Sequence, residues 1–263
     1  PEVWIEPIQK NVAEVWCYSK YVRDVYLNSG ISEEKVKVVP LGVDTTIFHP
    51  SAPPFVFTQE PGTTLLPKGL EGRFCFLFVG GTLHRKGIDI LLDAYLRAFS
   101  AYDDVCLVIK DTGTKTVYRG QNEQERILDL MEDSTRPHIL YIEEDLSPHQ
   151  LAGIYTASDC LVQPYRGEGF CLPALEAMAC GIPVLVPEGG PTDDFVDNTV
   201  GWRVPAEHKP FGEGRIGQWE CVGETWMFEI STEVLARQMR AIFQNREEAK
   251  EKGRRAAERA AQH

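Results

Sequence analysis

Five short apolar runs, "FCFLFVG", "VCLVIK", "HILYI", "CLVQPY" and "IPVLV", recur between residues 74 and 186, with amphipathic stretches between them. Runs this short and this apolar suit buried strands, and their alternation with helical segments calls for parallel strands joined by crossover helices. One such crossover is "RKGIDILLDAYLRAF", in which Ile88, Leu91, Leu92, Tyr95, Leu96 and Phe99 fall at helical spacing and leave the charges on another face. Another, "LSPHQLAGIYTASD", opens with Ser147 as a helix cap and Pro148 at the first helical position. The expected fold is α/β: a Rossmann-like parallel sheet with helices on both faces.

The flanks read differently. "EVWCYSKYVRDVYLNSGISEEKVKVVPLGVD" predicts a short strand, a helix capped by Ser19 and stopped near Gly30, and a second strand around Val36 to Pro40. That is one αβ unit with no complete sheet to lie on. Residues 49–72 hold five of the seventeen prolines without sustained periodicity, which marks a linker. A long helix is expected from about Thr232, its tail "NREEAKEKGRRAAERAAQH" charged on most faces and solvated.

Lys and Arg number 27 against 39 Asp and Glu, a net charge of −12, which opposes nucleic-acid binding and requires any anion site to be local. Seven cysteines stand singly at 17, 75, 106, 160, 171, 180 and 221, with no C-x-x-C pair and no glycosylation sequon. They read as reduced thiols of a cytoplasmic protein. No apolar run approaches the ~20 residues of a transmembrane helix, and "PEVWIEPIQK" is no signal peptide.

Two constellations carry chemistry. In "YRGEGFCLPALEAMACGIPVLVPEGG", Tyr165 to Gly190, a strand runs into a two-glycine loop and then a helix with Pro173 near its start. Such a loop lies at the carboxyl edge of a parallel sheet, where ligands bind. Helix-start N–H groups and Gly167 and Gly169 suit an anion, and Glu168 and Glu176 could flank it as acceptors for vicinal hydroxyls. The plain alternatives are a glutamate stabilised by the helix dipole and an ordinary loop acid.

The second is "FLFVGGTLHRKGIDILL", where Gly80 and Gly81 follow a strand and Arg85, Lys86 and Gly87 precede a helix. Cations there oppose the helix dipole, so an anion would account for them; two solvated basic residues in a turn are the alternative. "GEGRIG", Gly212 to Gly217, matches a dinucleotide-binding string but has neither the preceding strand nor the following helix. The six histidines are dispersed and there is no D-x-D, H-E-x-x-H or G-x-S-x-G, so no metal site is expected.

"GEGFCLPALEAMACGIPVLVPEGG" resembles the glutamate-x7-glutamate signature of group 1 (family 4) retaining glycosyltransferases of the GT-B fold. "FVGGTLHRKGIDILLDAY" is similar to their phosphate loop, and "KVKVVPLGVDTTIFHP" to the segment that enters their donor domain. The resemblance spans residues 15 to about 205 and implies the C-terminal, donor-binding half of that fold. It implies residues 1–48 as a remnant of the acceptor domain, 49–72 as linker and 73–263 as the donor domain.

By that resemblance Lys86 and Arg85 bind the diphosphate of a UDP- or GDP-linked sugar, with Gly80 and Gly81 close by. Glu168 holds the transferred sugar, and the backbone of Gly169, Phe170, Cys171 and Leu172 brackets sugar and phosphate. Glu176 takes the ribose, and backbone near Ile142 and Glu143 meets the base. No cofactor beyond the nucleotide sugar is implied. Family enzymes retain anomeric configuration, by attack on the face the leaving group departs from, aided by fixed charges on the diphosphate. This sequence departs from the family in Gly81, where some members carry Arg, in Cys171, where glycine is common, and in a longer segment from about His208 to Trp226. With the rest of the acceptor domain absent, the chain is expected to bind donor and to transfer poorly. A nucleotide-sugar-binding module without catalysis and a glycoside hydrolase using Glu168 and Glu176 are the alternatives.

Overall fold

Ser19 starts the main helix of the first unit: its side chain accepts from the Val22 N–H at 3.2 Å and caps that helix, and Gly30, at φ 93°, follows the helix's end. The computed structural model describes residues 1–55, 70, 72–112, 123–216 and 218–263. The elements of this unit are α1 (Ile5–Asn11), β1 (Val15–Cys17), α2 (Lys20–Asn28) and β2 (Val36–Val38). β1 and β2 pair in parallel with Val15 opposite Val36, and Cys17, Ile31 and Val36 are buried between them and the helices. The βαβ unit is as the sequence predicts; α1 is an addition to it.

The second unit runs β3 (Phe74–Val79), α3 (Ile88–Ala98), β4 (Val105–Lys110), α4 (Gln124–Glu132), β5 (His138–Ile142), α5 (Pro148–Thr156), β6 (Cys160–Val162), α6 (Leu172–Ala179), β7 (Val184–Pro187) and β8 (Gly201–Val204). Its six strands lie in the order β5-β4-β3-β6-β7-β8, every pair parallel. The order reverses between β3 and β6, so the crevice beyond their carboxyl ends is the ligand position of a doubly wound sheet. All six residues of β3 are buried, and they alternate between faces. Phe74, Phe76 and Phe78 join the core under α3, while Cys75, Leu77 and Val79 join the one under α5 and α6.

β8 was not expected; its "GWRV" is too short and mixed to announce a strand. The segment beyond it forms an arm in which β9 (Ala206–Pro210) pairs antiparallel with β12 (Trp226–Ile230). A smaller hairpin of β10 (Arg215–Ile216) and β11 (Trp219–Glu220) lies between them. "GEGRIG" falls here, in a short turn and β10, with Gly217 outside the described residues. The arm reaches the first unit through Tyr21, whose ring lies 5.9 Å from Phe228 and 6.3 Å from Trp226.

The single C-terminal helix is corrected to two, α7 (Thr232–Gln244) and α8 (Arg246–Ala260). Asn245 breaks them, and its side chain caps α8 by accepting from Glu248 N–H at 3.4 Å. The tail is not a free solvated helix: Ala249, Lys252, Gly253, Ala256 and Ala260 are buried. A methyl group at Gly253 would stand 2.2 Å from the Gly181 carbonyl, so α8 and the end of α6 touch backbone to backbone. Of the proline-rich stretch, residues 49–55 lie on α5, where Phe55 N–H donates to the Gly153 carbonyl at 2.8 Å. Residues 56–69 and 71 fall outside the described residues.

Candidate functional site

The two loops expected to carry chemistry meet at the β3/β6 crevice. After β3 the chain turns through Gly80, makes a single 3-10 turn over His84–Lys86, and passes Gly87 in the left-handed conformation before α3 begins. Gly87 cannot carry a side chain: a Cβ there would stand 1.9 Å from the Pro164 carbonyl of the other loop. Gly81 is crowded too, with a Cβ falling 3.0 Å from the Thr112 carbonyl. Asp111, buried at the end of β4, holds this loop by accepting from Thr82 N–H (3.2 Å), Thr82 hydroxyl (3.0 Å) and Tyr141 hydroxyl (2.6 Å).

The Lys86 stem runs past Gly80, where a Cβ would lie 3.8 Å from its Cε, and its ammonium donates across the crevice to Glu168 Oε1. Arg85 reaches the same oxygen at 3.4 Å and donates to the Gly167 carbonyl at 2.6 Å. Two cations thus converge on one carboxylate, and the Lys86 and Glu168 side chains are only 17% and 12% exposed. Pairs this sheltered are screened far less than surface pairs.

Gly167 and Gly169 do not need glycine's left-handed freedom; Cys171 has that conformation instead, at φ 69° and ψ 60°, the one described non-glycine residue to do so. The position keeps the backbone that a glycine would adopt, at a cost of about 1–2 kcal/mol. Burial, then the Glu168 charge, pushes the Cys171 thiol up to about 12, so it is no nucleophile at neutral pH. Phe170 and Cys171 are buried, and Leu172 begins α6. The Ser19 hydroxyl of the first unit donates to the Gly169 carbonyl at 2.8 Å, so both units touch this loop.

Glu176 stands one turn into α6 and accepts from the Tyr155 hydroxyl at 2.7 Å. Burial raises its carboxyl above the usual range, and the Tyr155 bond offsets part of that rise. Glu168 and Glu176 therefore have separate partners, cations for one and a phenol for the other. Ile142 is buried, with its carbonyl accepting from Asp111 N–H at 2.9 Å, and Glu143 follows at the end of β5. Among the described residues no group of three His, Cys, Asp or Glu side chains could hold a metal ion, and no helix is long and apolar enough to cross a membrane.

Sequence reasoning missed Arg166, Asp89 and Glu229. The Arg166 guanidinium, 5% exposed, forks onto Asp89 at 2.7 and 2.8 Å and onto Glu229 at 2.9 Å. Burial works to raise the Asp89 carboxyl, but the Arg166 hydrogen bonds and charge outweigh it and hold the group below its usual range. Nothing local announces these pairs, which lie 77 and 63 positions apart in sequence. Tyr155 carries no signal in the sequence, and Ser19 reads only as a helix cap.

A six-stranded doubly wound sheet is a Rossmann-like architecture, and its solved structural neighbours are glycosyltransferases of the GT-B fold. Among solved structures with this fold, the Anabaena Alr3699/HepE complex with UDP-glucose superposes on 99% of this chain and 62% of its own, with a TM-score of 0.71 at 17% identity. The sucrose-phosphate synthase of Thermosynechococcus elongatus matches 99% of this chain and 56% of its own, with a TM-score of 0.70 at 20% identity. The family model for "Glycosyl transferases group 1" matches residues 67–210, and the chain belongs to that family. Among similar proteins, the D-inositol 3-phosphate glycosyltransferase of Acidothermus cellulolyticus is 27% identical over 215 residues, 79% of this chain and 44% of that protein. The MMP alpha-(1->4)-mannosyltransferase of Mycolicibacterium hassiacum is 27% identical over 176 residues, 66% of this chain and 36% of its own. The chain thus spans less than half the length of these curated relatives.

Proposed function

We propose that this chain is the nucleotide-sugar-binding part of a retaining family 4 glycosyltransferase, with residues 73–263 as its donor domain and residues 1–48 belonging to the acceptor side. One observation carries the reading: Lys86 and Arg85 converge on Glu168 over the start of α6, at the switch point of the sheet. In this assignment the donor diphosphate takes Lys86 and Arg85, against the partial positive charge of the helix start. Arg85 then serves as the second cation, in place of the Arg that some relatives carry at position 81. Glu168 accepts from hydroxyls of the transferred sugar, and Glu176 from the ribose diol.

Transfer breaks the bond between the anomeric carbon and the diphosphate oxygen and joins that carbon to an acceptor oxygen on the same face. The acceptor proton leaves on the departing phosphate. What the chain supplies is preorganised positive charge where negative charge grows on the diphosphate. A hydrolase would need one acid and one carboxylate facing the same bond; the separate partners of Glu168 and Glu176 favour the transferase. The donor is UDP- or GDP-linked, the acceptor belongs to surface outside residues 73–263, and this chain alone should transfer poorly. Its seven free cysteines fit a reducing, cytoplasmic setting.

Calorimetric titration of UDP and GDP into the wild-type chain and Lys86→Ala tests this. One nucleotide should bind, and the substitution should weaken it about ten- to a hundredfold, the loss of one charge-assisted contact. A wild-type chain that binds neither ends the reading.

A further inference from the structure

Arg166 has no place in the assignment above, yet every N–H of its guanidinium has an acceptor. Nε donates to Glu229 Oε2 at 2.9 Å; Nη1 donates to Asp89 Oδ1 at 2.7 Å and to the His84 carbonyl at 2.8 Å; Nη2 donates to Asp89 Oδ2 at 2.8 Å and Glu229 Oε1 at 3.4 Å. A buried, saturated cation has no donor left for a phosphate. Its main chain is equally occupied: the N–H donates to the Arg85 carbonyl at 2.8 Å and the carbonyl accepts from Phe228 N–H at 2.9 Å.

These contacts grip one short element. The His84–Lys86 turn is a three-residue 3-10 segment, a kind with poor hydrogen-bond geometry and little stability of its own. Arg166 holds the carbonyls of its first two residues and the carboxylate of Asp89 just beyond it. Lys86 is the third residue of that turn. Glu229 lies on β12, so the base of the arm, a segment otherwise without a role, closes the same network.

We propose that Arg166 is a positioning residue for Lys86, and that Glu229 makes the arm a structural part of the donor seat. The inference rests on the donor-binding reading above. The fork geometry is what matters: lysine would keep the charge, but three donors on one nitrogen cannot replace five bonds made from three nitrogens of a planar fork.

The test compares Arg166→Lys with the wild-type chain in two measurements. In the first, the preference for a nucleoside diphosphate over its nucleoside should fall about tenfold in Arg166→Lys while nucleoside affinity holds within about twofold. On a Lys86→Ala background the same substitution should cost almost nothing more, because both act through one group. Equal losses on both backgrounds, or full rescue of the preference by lysine, would overturn the proposal. The second measurement needs no ligand: hydrogen exchange at the Lys86 and Gly87 amides, which close the turn onto Leu83 and His84, should quicken at least about tenfold in Arg166→Lys relative to β4. Unchanged exchange refutes the brace, whereas a wild-type chain that binds no nucleotide refutes only the donor reading. If Arg166→Lys does not fold, Glu229→Gln takes its place, with a loss of about threefold that also vanishes on the Lys86→Ala background.

Discussion

Glu168→Gln should tighten the binding of a bare nucleoside diphosphate and weaken that of the nucleotide sugar. The carboxylate engages Lys86 and stands 3.4 Å from Arg85. An arriving diphosphate must share or displace those cations while it sits near a like charge. Two like charges ~4 Å apart interact by about 4 kcal/mol at an effective dielectric of about 20. The two cations neutralise most of that, and a residue of about 1 kcal/mol makes the glutamine variant roughly fivefold tighter for UDP or GDP. A nucleotide sugar has the same gain but loses one charge-assisted hydrogen bond from a sugar hydroxyl, at about 1.5–3 kcal/mol, for a net weakening of about two- to thirtyfold. On a Lys86→Ala background the carboxylate is less neutralised, so adding Glu168→Gln should recover about tenfold or more for the diphosphate. Isothermal titration with both ligands against the four chains reads all of this, with thermal melts as a control for folding. If Glu168→Gln weakened both ligands equally, the carboxylate would be supporting the diphosphate seat, and its assignment to the transferred sugar would be wrong.

Two further outcomes follow from burial. Glu176 has its carboxyl raised by burial, so the folded chain holds that proton more readily than the unfolded one; the group's stabilising contribution is complete below about pH 4.3 and is lost as pH rises through the folded value. Glu176→Gln should therefore melt no higher than wild type near pH 4 and measurably higher at pH 8, and an equal difference at both ends would refute the burial argument; it should also bind a nucleotide less well, and unchanged affinity would refute the ribose assignment. Gly253→Ala should destabilise the chain by about 1 kcal/mol or more in urea unfolding: a gain of about 1 kcal/mol in helix propensity is outweighed by a methyl group 2.2 Å from the Gly181 carbonyl. A stabilised Gly253→Ala would mean that α8 does not dock on α6 as described.

What the sequence makes legible depends on whether a residue's task is local. The strands β3 and β4 are buried along their whole length, so an unbroken apolar run announces them, whereas β8 contributes "GWRV" and announces nothing. Lys86 and Glu168 stand out in the sequence because a cation before a helix and an acid in a glycine loop are locally unfavourable or unexplained, and the fold brings these two side chains into contact. Cys171 illustrates the intermediate case: the residue type misleads, and the fold imposes the left-handed backbone regardless.

The C-terminal tail failed for a different reason. Its buried positions 249, 253, 256 and 260 do repeat at helical spacing, but they are Ala and Gly, whose small size gives a weak apolar signal and a very close approach. Charges on the remaining faces then dominate the reading, even though Lys252 is itself buried, donating to the Asn198 and Gly201 carbonyls beside the Trp202 ring. A stripe of small residues encodes contact between backbones, and only the partner surface reveals it. Arg166 is the same problem in electrostatic form. Its neighbours Gly167 and Glu168 mark the loop, but its own partners are Asp89 on α3 and Glu229 on β12. A misplaced charge leaves a trace where it stands; an ion pair 63 or 77 positions apart is written in two halves, and it becomes visible only when the sheet has brought them together.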